Sequence, residues 1–175
     1  MPDFVIRALA RADERGDFTS GDIDLDRFFR RFAGQNQFRH HIGTSYVAVG
    51  DGRILGFATI SAGEITGATL SQSLRKRLPD YPLPILRIAR LAVDHRAQRR
   101  GVGRALLRFT LRLGLDLRER CGCVGVLVDA KPAAVPFCDQ LGFIRLTAVQ
   151  GQLGDRPEPQ PMFLPIRLVE AGVGD

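Results

Sequence analysis

The chain has 175 residues and a mass of 19.3 kDa, enough for one domain with a sizeable core and short for two, so a single domain over residues 1–175 is expected. Hydrophobic residues make up 45% and charged residues 25%, which excludes wholesale disorder, and no apolar run reaches the roughly 18 residues of a membrane span. The net charge of +6 is unevenly spread: residues 84–122 carry ten Arg against three acids, while residues 1–45 balance seven Arg with seven acids. Such a basic middle suits a polyanion, either a nucleotide cofactor or RNA, and is equally what a solvated arginine face would look like.

Met1-Pro2-Asp3-Phe4 shows no basic start before an apolar stretch, so no secretory signal is expected. Cys121, Cys123 and Cys138 cannot pair fully, which fits reduced thiols in a cytoplasm. The first strongly periodic segment has Leu25, Phe28, Phe29, Phe32 and Ala33 at helical spacing, with Asp24 as the expected N-cap and Gly34 as the expected stop. Residues 44–49 and 53–61 read as two strands of a hairpin joined by Gly50-Asp51-Gly52. Residues 62–83 read as a loop with room for a short helix.

Residues 84–94 are the next expected strand, followed by a helix from Gly101 to about Glu119 whose apolar face is Val102, Ala105, Leu106, Phe109 and Leu113. Residues 123–129 form a continuous apolar run, as a central buried strand does. A short helix over 133–141 ends at Gly142, and a Pro-rich loop at 155–161 leads to a last strand over 162–168. A hairpin followed by strand-helix-strand-helix implies a mixed α/β or α+β sheet with helices on its faces.

The chemistry concentrates between Arg90 and Leu107. A strand ends, a basic loop follows, and Gly101 and Gly103 flank the first turn of a helix. Unpaired first-turn N–H groups and the helix dipole make such a turn an anion site, with Arg99, Arg100 and Arg104 adding charge. It is neither a Walker loop nor the Gly-x-Gly-x-x-Gly dinucleotide fingerprint. No His, Cys and Asp set has metal-ligand spacing, so no metal is expected.

Gln98-x-x-Gly101-x-Gly103 after Leu91-Ala92-Val93 resembles the acetyl-CoA pyrophosphate loop of the GNAT superfamily of N-acetyltransferases. Ala134-x-x-Phe137-Cys138-x-x-Leu141-Gly142-Phe143 resembles that superfamily's closing helix, usually Phe-Tyr-x-x-x-Gly-Phe. Leu25-Asp26-x-Phe28-Phe29, Gln35-Asn36-Gln37, Thr44-Ser45-Tyr46-Val47-Ala48-Val49 and Gly56-Phe57-Ala58-Thr59-Ile60-Ser61 resemble the superfamily's toxins. Those toxins acetylate the α-amine of aminoacyl-tRNA and are paired with ribbon-helix-helix antitoxins. Pro82-Leu83-Pro84 and Met162-Phe163-Leu164-Pro165 fit the same group.

The resemblance implies a mixed central sheet with splayed parallel strands flanked by helices, and acetyl-CoA as co-substrate. It implies that Gln98, Arg99, Arg100, Gly101, Val102, Gly103 and Arg104 grip the pyrophosphate, while the backbones of Leu91, Ala92 and Val93 hold the pantetheine arm. Arg96, Arg108 and Arg112 would extend a basic stripe toward an RNA substrate, with Arg104 on the same helical ridge. Cys138 stands where the family commonly has a Tyr that protonates the leaving thiolate. Either it donates in that place or it is a small buried residue. Glu64 is either a general base or a surface carboxylate, and His40 and His41 either pair with neighbours or take part in catalysis. Other functions stay open: a GNAT acting on a small amine or a protein N-terminus, or a CoA-binding module without catalysis. The resemblance leaves homodimerisation open too.

Overall fold

The computed structural model describes residues 3–67, 70, 72–146 and 159–173. Among the described residues, seven strands form one mixed sheet with a single parallel pair, in the order β1-β2-β3-β4-β5-β7-β6. These are β1 Val5–Ala8, β2 Thr44–Gly50, β3 Arg53–Ile65, β4 Leu83–Val93, β5 Gly125–Ala130, β6 Ile144–Arg145 and β7 Gln160–Pro165. The α-helices are α1 Ile23–Arg27, α2 Ala33–Gln35, α3 Gln72–Arg75, α4 Val102–Arg120, α5 Val135–Gln140 and α6 Ile166–Val173. Two compact units share these elements: Met1–Ser61 with Ile88–Thr110, and Ala62–Arg87 with Leu111–Asp175.

In the first unit, β2 and β3 meet through a two-residue loop, Asp51 and Gly52, both at positive φ (51° and 72°). Two positive φ values give the backbone twist that matches paired strands, which is why Asp-Gly is favoured there. The register shifts between Ala48 and Val49, so Ala48 faces Gly56 and Val49 faces Ile54. Gly56 has no room for a side chain, since an added Cβ would lie 3.0 Å from Ala92 O, Val102 Cγ1 and Leu106 Cδ1. Strand β1 pairs antiparallel with β2, and its short, mostly exposed sequence carries no period that marks it as a strand.

The N-terminal helix departs from the expected boundaries. Its N-cap is Asp22, not Asp24: Asp22 Oδ1 accepts from the N–H groups of Asp24 and Leu25, both at 3.0 Å. Nor does it stop at Gly34. Its α turns alternate with π turns at Phe28–Phe32 and Asn36–His40, and it ends where His41 takes a left-handed conformation. Gly34 lies inside the helix against the Arg15 guanidinium, whose Nη2 would be 2.8 Å from an added Cβ. Phe28, Phe29 and Ala33 reach the core with Leu9, Phe18, Val47 and Phe57, and the Phe29 and Phe57 rings stack at 4.2 Å. Phe32, expected on the apolar face, is 45% exposed, because a π turn carries more residues than an α turn and rotates the later positions outward.

In the second unit, β3 continues to Ile65 and α3 takes part of the expected 62–83 loop. Ile65, Leu74, Leu83, Ile85, Leu146 and Phe163 form its core. Strand β7 pairs antiparallel with both β5 and the short β6. The last strand, expected to run to Leu168, ends at Pro165. Residues 166–173 form α6, with Val169 buried at 1% and Leu168 turned outward. The Pro-rich loop expected at 155–161 lies mostly outside the described residues.

Candidate active site

Strand β4 delivers Leu91, Ala92 and Val93 to the start of the basic loop. Ala92 is buried, while Leu91 and Val93 are half-buried and pack on the cluster of Ala48, Ala58, Ala97, Val102 and Leu106. Their side chains belong to the core, leaving the strand's backbone as the part a ligand could use.

Asp94 ends the strand and starts a 3-10 turn, His95–Ala97. Its carboxylate is 2% exposed and collects four hydrogen bonds: from Arg96 N (3.0 Å), Arg96 Nε (2.9 Å), Arg96 Nη2 (3.0 Å) and Thr19 N (3.1 Å). Burial pushes its pKa up, but the hydrogen bonds, led by the Arg96 guanidinium, outweigh it and hold the group at about 2. The partner segment 17–20 is held by further bonds. His95 N donates to Thr19 O (2.8 Å), and Gln98 Nε2 donates to Ser20 O (2.9 Å) and Val93 O (3.1 Å). A clasp therefore fixes the loop at both ends. Asp94 and Thr19 were not among the residues expected to act, and the available signal was a lone Asp at a strand end two residues before an Arg.

Beyond the clasp the chain turns sharply. Arg99 sits at φ 64° and Gly101 at φ 83°, and an added Cβ on Gly101 would meet open space. Helix α4 then starts, with Ala105 N donating to Gly101 O at 3.0 Å. The preceding N–H groups, on Val102, Gly103 and Arg104, have no intrahelical acceptor and point out of the helix end. Val102 anchors the turn at 1% exposure, whereas Arg99, Arg100, Gly101 and Arg104 are exposed. First-turn backbone donors, a dipole end and three exposed guanidinium groups together fit a pyrophosphate. All ten expected cofactor residues fall in the first unit.

Among the residues of the expected stripe, Arg96 has its guanidinium engaged with Asp94 and lies 3.6 Å from Asp17 Oδ2. Arg104, Arg108 and Arg112 recur along α4, with Arg108 half-buried and the other two exposed. Glu64 is exposed on β3. His40 Nε2 lies 3.0 Å from Gln35 Nε2.

Cys138 belongs to the second unit, on α5. It is 2% exposed, and burial, helped by the neighbouring Asp139 charge, pushes its thiol up to about 11. Asp139 pairs with Arg145 at 2.6 Å, closing the turn over Gly142. Among the described residues no group of three or more His, Cys, Asp or Glu side chains could hold a metal, and no helix is long and apolar enough to cross a membrane.

The sequence matches the acetyltransferase (GNAT) domain family over residues 41–145. It is similar to a tRNA-acetylating toxin of Mycobacterium tuberculosis (strain ATCC 25618 / H37Rv), with 34% identity over 126 residues, covering 71% of this chain and 74% of that protein. The fold is similar to the crystal structure of a tyrosine-to-phenylalanine mutant of KacT, with a TM-score of 0.84 and 26% identity over 97% of this chain and 99% of that one. It is also similar to AtaTR bound with AcCoA, with a TM-score of 0.77 and 25% identity over 98% of each chain.

Proposed function

The chain belongs to the GNAT acetyltransferase family, and from that premise we propose that it moves the acetyl group of acetyl-CoA to the α-amine of an aminoacyl-tRNA. The observation that carries this reading is the anion site at the start of α4, held on a chain one-third identical to a tRNA-acetylating toxin. On this reading residues 1–175 act as one acetyltransferase domain in the cytoplasm, blocking translation, and a ribbon-helix-helix antitoxin restrains it. A homodimer is compatible with that arrangement.

Acetyl-CoA supplies the acetyl group already activated as a thioester, so the chain has only to hold and orient two reactants. The N–H groups of Val102, Gly103 and Arg104 would take the pyrophosphate, with Arg99, Arg100 and Arg104 neutralising its charge, and Gln98 keeping the loop in place. The backbones of Leu91, Ala92 and Val93 would hold the pantetheine arm. Arg108 and Arg112 extend positive charge along α4 toward RNA phosphates. With its thiol held at about 11, Cys138 keeps its proton at neutral pH. That leaves it able to donate, while its burial at 2% exposure leaves the transfer resting mainly on positioning. A second reading, a CoA-binding module with little catalysis, draws on that same buried Cys138.

Incubation with radiolabelled acetyl-CoA and total aminoacyl-tRNA tests the proposal. Label recovered on the α-amine of an aminoacyl-tRNA is the expected result. Label confined to small amines would sink the RNA reading, and acetyl-CoA binding without any labelled product would favour the module.

A further inference from the structure

Charge in the first part of the chain changes sign at Arg27. Residues 1–26 hold three Arg and seven acids, whereas residues 27–41 hold four Arg, two His and no acid. The basic part is the N-terminal helix. Arg27, Arg31, Gln35 and Arg39 recur every four residues and are all exposed, so they form one outward ridge. Phe32 shares that outer side at 45% exposure, while Phe28 and Phe29 fill the core on the inner side. The π turns that bring Phe32 outward are a geometry often met at functional sites.

The ridge is tied to the cofactor loop within the same unit. Arg30 Nε donates to Phe18 O at 2.8 Å and its Nη2 to Thr19 Oγ1 at 2.8 Å, while Thr19 N donates to Asp94. Segment 17–20 is thus bonded to the helix on one side and to the loop after β4 on the other. Whatever binds along the ridge lies near the loop that serves the thioester.

We propose that this ridge receives the single-stranded end of an RNA substrate, with Arg31 and Arg39 on its phosphates and Phe32 under one base. Guanidinium groups that neutralise the backbone beside a ring that stacks on any base are the recurring elements of single-strand binding. An acidic protein segment would be served by the arginines alone, and the exposed ring among them favours a nucleobase. The proposal rests on the aminoacyl-tRNA reading and deepens it.

The experiment keeps the two claims apart. Label transfer to aminoacyl-tRNA by the parent protein tests the function reading. Fluorescence anisotropy with deacylated tRNA, intact or trimmed of its single-stranded 3′ end, tests the ridge across a salt series. Arg31→Gln with Arg39→Gln is expected to weaken binding of intact tRNA about tenfold and to lower the log–log salt slope by about 1.4, two single-strand phosphate contacts. Phe32→Ala is expected to weaken intact tRNA about tenfold at an unchanged slope, and to leave trimmed tRNA at parental affinity. Parental affinity in both variants overturns the proposal, as does an equal loss of intact and trimmed RNA in Phe32→Ala. A change of oligomeric state by light scattering with RNA affinity unchanged assigns the ridge to contact between copies and overturns it too. Acetyl-CoA affinity by calorimetry is the folding control, and the single variant Arg39→Gln, with half the slope change, replaces the double if the double fails it.

Discussion

The turns after β4 and β5 are built on the same plan, a strand, a 3-10 turn and a helix, yet they present opposite surfaces. After β4, Asp94 caps the turn, two glycines flank the helix start, and the first-turn N–H groups of α4, which lack intrahelical acceptors, lie among exposed arginines. After β5, Lys131 gives no side-chain cap, and Pro132 and Pro136 remove N–H donors from the 3-10 turn and from the first turn of α5. The first helix runs 19 residues with its dipole end in water, and the second runs six and buries its thiol. One plan therefore yields an arginine-rich helix start suited to an anion or a proline-rich turn with fewer donors, according to which residues supply or withhold backbone N–H groups. The comparison also explains why the loop after β4 needs a clasp. The chain is exposed from Gln98 to Gly101, so hydrogen bonds of the Asp94, Arg96 and Gln98 side chains fix it where packing does not.

The sharpest way to break the contrast is Gly103→Asp, which puts a carboxylate where the β4 loop offers N–H groups. An added Cβ meets only Val93 Cγ2, at 3.4 Å, so the fold should persist. Acetyl-CoA affinity by calorimetry should fall a hundredfold or more, about 3 kcal/mol. Parental affinity would move the anion site elsewhere.

Removing the clasp comes next. Asp94→Asn leaves the exposed Arg96 guanidinium and the Thr19 N–H without their carboxylate and should cost about 1 to 2 kcal/mol of stability, with acetyl-CoA KM raised several-fold and kcat less changed. The pH dependence has a defined sign. The folded carboxylate at about 2 lies below its ordinary value of 3.8, so its stabilisation is full above about pH 4 and is lost as pH falls toward 2. Acid unfolding of the parent should show this loss of about 2 kcal/mol, and Asp94→Asn should not. Coincident acid profiles would mean that the Arg96 bonds contribute little.

At the other turn, Cys138→Ala should retain acetyl transfer within about tenfold, because a coenzyme thiolate leaves readily without a donor. Cys138→Tyr should match or exceed the parent. A dead Cys138→Ala that still binds acetyl-CoA would make the thiol the proton donor. The smallest effect is expected for Arg99→Gly. Arg99 holds a left-handed conformation that glycine adopts without steric strain, and the relief exceeds glycine's larger entropy loss on folding, so thermal denaturation should show a gain of about 0.5 to 1 kcal/mol. A loss of stability would show that the Arg99 side chain holds the loop in place.

The sequence by itself determined those elements whose signal is local. The Asp-Gly hairpin, the apolar run of β5, the periodic α4 and the Gly101-x-Gly103 start of that helix are each set by backbone propensity or by hydrophobic period. The proposed anion site was legible for the same reason, since its glycines and arginines would act through backbone and charge. Tertiary structure decided what depends on distant partners. Strand β1 exists because β2 offers it an edge, and the N-terminal helix passes Gly34 because Arg15 and the Phe29–Phe57 stack hold it in place. Residues 166–168 continue as helix because Val169 finds a buried site one turn on. Asp94 became a structural anchor only when segment 17–20, some 75 residues earlier, supplied Thr19. The raised thiol of Cys138 is likewise a property of its surroundings, because burial acts on a group through every neighbour that excludes water, and no spacing along the chain records those neighbours.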